Sequence, residues 1–162
     1  DFTLADAKGE SHLLSSLRGA KGTLLIFVST RCPVSNNYNE RMEALQRDYT
    51  ARGIRVVGIN ANRTEPVDEI RRHAQDKGLS FVILKDVGNP IADYLGASVT
   101  PEAYLLDTRN VLHYHGRLDA DQHQPQLNAN ELRAALDELL VGRELTNTGK
   151  KAFGCTIKRV SQ

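Results

Sequence analysis

The chain has 162 residues, enough for one ordinary domain with its own core. Apolar residues make up 40% and charged residues 25%, and a net charge of +1 without any basic stretch among aromatics excludes a dedicated nucleic-acid binder. The longest apolar run is too short to cross a bilayer, and two cysteines are too few for a disulfide scaffold but enough for one redox pair.

Phe2 to Leu4 and His12 to Leu14, with Gly9 between and Leu17 after, read as an irregular N-terminal strand or hairpin. Leu24 to Val28 is continuously apolar and contains Phe and β-branched residues, the pattern of a buried strand. After Pro33 the period changes. Val34, Tyr38, Met42, Leu45 and Tyr49 fall on one helical face, with Pro33 suited to the first helical position and Gly53 to the stop. Ile54 to Asn60 is a second strand. Thr64 to Pro66 opens a helix with Val67, Ile70 and Ala74 on its apolar face, closed by Gly78.

Phe81 to Leu84 is a third strand, and Asn89-Pro90 starts a short helix ending at Gly96. Ala103 to Leu106 and Val111 to His115 flank the turn residues Asp107 to Asn110 and form a hairpin. Asn128 to Leu140 is a last amphipathic helix, stopped by Gly142. The tail from Arg143 has weak periodicity and holds Gly154-Cys155. Strands alternating with helices, then a hairpin, predict an α/β fold with helices on both faces of a mixed sheet.

The segments DFTLADAKGESHLLSSLRGAKGTLLIFVSTRCPVS, DVGNPIADYLGASVTPEAYLLD and YHGRLD together resemble the thioredoxin-like superfamily. The similarity is to its redoxin (AhpC/TSA-type) branch with the TlpA/ResA-like thiol–disulfide oxidoreductases, and it covers roughly the first 140 residues, the size of one domain. The tail motif GCTIKR is similar to one that ends a group of thioredoxin-like proteins. The resemblance implies a three-layer α/β/α domain with an N-terminal strand or hairpin extension, here residues 1–141, with the tail 142–162 packed on it.

Cys32 is the candidate nucleophile. The thiolate is the reactive form, and a cysteine at the first turn of a helix faces unpaired N–H groups that favour it. Arg31 is next to it, and Pro33 begins the helix without wasting a donor. Ser35 stands where a dithiol thioredoxin carries its second cysteine, so the turn reads C-x-x-S and Ser35 is a candidate hydrogen-bond partner for the sulfur. The resemblance supplies further roles. Ser29 matches the Ser or Thr that binds peroxide in peroxiredoxins, although Leu25 stands where their signature has a proline. Thr100-Pro101 matches the cis-proline segment that packs on the sulfur or presents a substrate backbone. Thr30, Pro33 and Glu102 would complete the pocket, with Glu102 near enough to tune the sulfur's pKa. The alternative for Cys32 is an inert, buried cysteine.

Cys155 is either a resolving thiol brought back to Cys32 or a cysteine that only packs the tail down. The alternative for Glu102 is an exposed strand-end residue. His113, His115 and His123 read as a solvated or partly buried strand and loop, and no metal site is assigned. Arg117 and Asp119 read as a turn with a local ion pair, Asp86 and Asn89 as turn and cap residues, and Lys85 as a solvated charge.

The expected function is thiol–disulfide oxidoreduction or a related antioxidant thiol activity, without a cofactor. The partners would be protein or small-molecule thiols and disulfides. A peroxiredoxin-like peroxidase, with Arg31, Arg109 or Arg117 at the sulfur, and a non-catalytic thioredoxin-like binding module remain open. The chain starts at Asp1 without Met or a leader and is read as trimmed or processed. An oxidisable cysteine pair fits an extracytoplasmic location.

Overall fold

The computed structural model describes residues 1–124 and 130–161. At the centre lies β3 (Gly22–Phe27), buried at all six positions. It runs parallel to β4 (Ile54–Asn60) and antiparallel to β7 (Glu102–Leu106). Both its edges are paired and both its faces are covered, which is why its sequence is an unbroken apolar run and does not alternate. β5 (Val82–Lys85) pairs parallel with β4 and antiparallel with β1 (Thr3–Asp6). β2 (Ser11–Leu13) and β8 (Leu112–Gly116) form the two edges, giving the mixed order β2-β1-β5-β4-β3-β7-β8.

Strand parity divides the core into two layers. Leu24, Ile26 and Val28 face α2 (Asn39–Thr50), α3 (Val67–Asp76) and α5 (Glu131–Leu140) through Met42, Leu45, Ile70, Leu132 and Leu136. Leu25 and Phe27 face the 3₁₀ turn Leu14–Leu17, α4 (Pro90–Leu95) and the tail residue Ile157. Each Leu or Ile so buried is stabilised by about 1.5–3 kcal/mol relative to exposure. The result is the three-layer arrangement with an N-terminal hairpin that the sequence predicts. Residues 128 and 129 of the expected last helix lie outside the described residues.

The helix expected after Cys32 is two helices, α1 (Pro33–Asn37) and α2, broken at Tyr38. Asn36 and Asn37 are weak interior helix formers. The Tyr38 N–H turns back to the Ser35 carbonyl at 3.0 Å. The break lets the buried Tyr38 ring lie 4.3 Å from the Arg41 guanidinium and donate its hydroxyl to Asp119 Oδ1 at 2.8 Å. The expected local pair of Arg117 with Asp119 is not formed. Arg117 bonds Glu131, and the buried Asp119 takes the half-buried Arg41 at 2.8 Å. Lys85 is not a solvated charge either. Its Nζ donates to Asn60 Oδ1, Asn62 O and Glu65 O at 3.1, 2.6 and 2.8 Å, and burial holds its pKa below the ordinary value. Asp86 accepts from the N–H groups of Ile91 and Ala92, so it caps α4.

The tail contains a strand that periodicity could not reveal, because two residues have no period. β9 (Cys155–Thr156) pairs antiparallel with β6 (Val99–Thr100), opposing Cys155 to Thr100. The tail reaches it along the outer edge of β8, where the N–H groups of His115 and Arg117 donate to Thr148 and Lys150 carbonyls, both at 2.9 Å. Such close passage requires missing side chains. A Cβ on Gly154 would lie 1.9 Å from the Thr100 carbonyl oxygen, and one on Gly149 1.8 Å from that of His115.

Gly154→Ala therefore forces the tail away from β6. The expected cost is about 1–3 kcal/mol in denaturant unfolding, together with lost hydrogen-exchange protection at Ile157. An alanine variant with wild-type protection there would contradict this reading of the contact.

Candidate active site

The turn between β3 and α1 is held from below by a residue that the sequence reading missed. Glu65 is 2% exposed, and its carboxylate accepts from four donors. They are the Ser29 hydroxyl at 2.5 Å, the Thr30 N–H at 2.9 Å, the Arg31 N–H at 3.3 Å and Asn60 Nδ2 at 2.6 Å. A buried carboxylate is tolerated only with such satisfaction. Three of the four donors belong to the segment that leads into Cys32. In turn the Ser29 oxygen accepts from the N–H groups of Arg31 and Cys32 at 3.2 and 3.0 Å. The backbone of Cys32 is thus tied to Glu65 through one hydroxyl. The separation of 36 positions between Ser29 and Glu65 leaves no spacing signal. The only trace in sequence is a polar Asn60-Ala-Asn62 exit from a largely apolar strand.

Cys32 is the N-cap of α1, with extended backbone at φ −75° and ψ 117° and Pro33 in the first turn. Its sulfur accepts the Ser35 N–H at 3.3 Å and, as a thiol, donates to the Thr100 carbonyl at 3.4 Å. The Thr100–Pro101 peptide is cis. Ser35 reaches the sulfur through its backbone, because its hydroxyl accepts the Ser29 N–H at 3.2 Å. The side chain of Cys155 lies against Cys32, and both are free thiols. Burial alone would push the Cys32 thiol up. Hydrogen bonds from the Cys155 thiol, the Thr100 side chain and the Ser35 and Cys155 N–H groups outweigh it, so its pKa falls below the ordinary value. Cys155 moves the opposite way, raised by burial and by donating to Cys32. One thiol is thereby held ready to ionise while the other keeps its proton.

A cleft of about 210 Å³ opens beside the pair, lined by Ser29, Arg31, Thr64, Glu65 and Thr156 among others. Arg31 lines the cleft, but its charged end is committed to Glu69. Its guanidinium makes a two-point pair with Glu69 at 2.9 and 2.6 Å, and with the Thr30 hydroxyl it holds Glu69 down at about 2. Glu102 is buried, contrary to the strand-end alternative, but it does not serve the sulfur. It accepts from the N–H groups of Ser98 and Val99 and meets His115 Nε2 at 2.6 Å, beneath a stacked Tyr104. His113 contacts Asp107 at 3.0 Å, so the alternating histidines have separate carboxylate partners. The described residues do bring Asp6, Glu10 and His12 within 4.8 Å of one another. Asp6 already accepts the Lys8 and Glu10 N–H groups and contacts His12, which accounts for the hairpin turn.

The two opposite shifts have a direct consequence. A small alkylating reagent applied from pH 5 to 10 should modify Cys32 with a midpoint below that of a free thiol, near 8.5, and Cys155 with a midpoint above it. Peptide mapping reads both sites, and the reverse order would contradict the hydrogen-bond assignment.

Comparison with known proteins agrees with this geometry. The thiol-disulfide oxidoreductase ResA of Halalkalibacterium halodurans is 36% identical over 107 residues, covering 66% of this chain and 59% of that protein. The chain thus spans about three fifths of the length of the ResA relatives it matches. A hypothetical protein of Sinorhizobium meliloti, known as a crystal structure, is 31% identical and superposes with a TM-score of 0.91 over 100% of this chain and 92% of that one. A secreted disulfide oxidoreductase of Mycobacterium tuberculosis, 18% identical, shares the fold with a TM-score of 0.66 over 84% of this chain and 94% of its own. Residues 1–115 match the AhpC/TSA family. The chain belongs to the AhpC/TSA family, and its fold is thioredoxin-like.

Proposed function

We propose that this chain is a thiol-dependent oxidoreductase in which Cys32 is the nucleophile and Cys155 the resolving thiol. The observation that carries the proposal is the meeting of these two free cysteines, 123 positions apart in sequence, with Cys32 buried and Cys155 half-buried beside an open cleft. The likeness to ResA supports the same reaction class.

The Cys32 thiolate attacks one sulfur of a disulfide R–S–S–R. A bond forms between Cys32 and that sulfur, the S–S bond breaks, and the departing thiolate takes a proton from solvent. Cys155 then loses its proton and attacks the Cys32 sulfur, releasing the second thiol. Two electrons leave the protein dithiol, one substrate disulfide becomes two thiols, and a partner dithiol, or two partner thiols, restores the reduced pair by becoming a disulfide. Thr100 and Pro101 form the wall beside the sulfur, Thr30 and Pro33 fix the ends of the turn, and Ser29 and Ser35 hold its backbone. An extracytoplasmic setting belongs to this proposal, since oxidised cysteine pairs persist where the surroundings are oxidising.

Disulfide exchange is favoured over peroxide reduction by two commitments. The Ser29 hydroxyl donates to Glu65, away from the sulfur. Arg31, Arg109 and Arg117 pair with Glu69, Asp107 and Glu131.

Cys155→Ser treated with one equivalent of a small disulfide should accumulate a mixed disulfide on Cys32, while the wild type proceeds to an internal Cys32–Cys155 bond. Mass spectrometry distinguishes the two products. Normal resolution in Cys155→Ser would remove Cys155 from the mechanism. An unmodified Cys32 in both proteins would point to a binding module.

A further inference from the structure

Extended polypeptides commonly dock by adding a strand to an exposed sheet edge, so that main-chain hydrogen bonds hold them in register. Beside Cys32 the backbone available for this is β6, whose Thr100 carbonyl touches the sulfur. That edge is already filled by the chain's own β9. The Ile157 N–H extends the pairing to Ser98 O at 3.0 Å.

The filler is strapped down on both sides. Ile157 is buried in the α4 face of the core. The Lys158 N–H donates to Asn62 Oδ1 at 2.7 Å, its carbonyl accepts the Arg63 N–H at 2.8 Å, and the Val160 N–H donates to Asn89 Oδ1 at 2.8 Å. Arg159 pairs with Asp93 at 2.7 Å and also donates to the Ala97 carbonyl. What remains open at the sulfur is the cleft of about 210 Å³. That is below the roughly 300–1,000 Å³ of ordinary ligand pockets.

We infer that the tail is a specificity element: it occupies the position of a peptide strand and restricts the reduced dithiol to low-molecular-weight disulfides, excluding disulfides carried in extended polypeptide. This inference rests on the thiol-exchange reading above. The reaction is the one already balanced there, with a small R–S–S–R as oxidant and two small thiols as products.

The test measures the rate of Cys32 thiol loss in the reduced full chain with two oxidants. One is oxidised glutathione, and the other is an unfolded polypeptide carrying a single disulfide. The wild type should favour the small disulfide by at least about tenfold in second-order rate constant. Arg159→Ala and, separately, Ile157→Ala loosen the strap without touching either cysteine. Each should raise the ratio of polypeptide rate to glutathione rate several-fold, since any change in Cys32 ionisation that follows from loosening Cys155 acts on both oxidants alike. Arg159 is partly exposed, so its variant keeps the test intact if Ile157→Ala fails to fold. Equal wild-type rates with the two oxidants, or a ratio unmoved in a folded strap variant, would overturn the inference alone. A Cys32 thiol that neither oxidant consumes would overturn the exchange reading and the inference with it.

Discussion

Much of this protein depends on one close backbone contact, the passage of Gly154 over the Thr100 carbonyl. No side chain fits there, since even a Cβ would sit 1.9 Å from the oxygen. Because the backbone can approach so closely, β9 pairs with β6 and Cys155 is delivered to a cysteine at the other end of the chain. The same carbonyl meets the Cys32 sulfur at 3.4 Å. A single peptide group thus seats the tail, lines the cleft and contacts the Cys32 sulfur.

The opposite wall is fixed by Glu65, and the two supports draw on different residues. Glu65 organises the Cys32 turn through donors that are all polar and all buried or half-buried, so the turn is held by hydrogen bonds whose loss leaves unsatisfied groups. The tail is held by strand pairing, by apolar contacts of Phe153 and Ile157 and by polar bonds at Lys158, Arg159 and Val160. Stability of the turn and placement of the second thiol are therefore separable. A fold that hosts many activities acquires its chemistry here from what these two supports bring to the sulfur.

The central architecture was legible because it is periodic. The unbroken run at Leu24 to Val28, the helical face of Met42, Leu45 and Tyr49 and the turn at Asp107 to Asn110 each carry a local signal of burial or reversal. Cys32 and Thr100-Pro101 were legible through position and resemblance. What stayed hidden depends on contacts across long stretches of chain. Glu65 looked like part of a helix start and serves residues about 35 positions earlier. Lys85 and Glu102 looked solvated, yet each lies where a loop or the sheet closes over it. The break at Tyr38 arises from a ring and hydroxyl partnered with Arg41 and Asp119, which no heptad or strand pattern records.

The most direct test of the central claim, that Cys32 and Cys155 act as one two-electron pair, is a redox titration of the full chain in a dithiol–disulfide buffer. Free thiols are counted at each potential, and the oxidised product is mapped by mass spectrometry. The expected result is a single transition in which both thiols disappear together and a Cys32–Cys155 linked peptide forms within one chain. Loss of Cys32 alone, as a sulfur oxyacid or a disulfide between two chains with Cys155 still free, would contradict it.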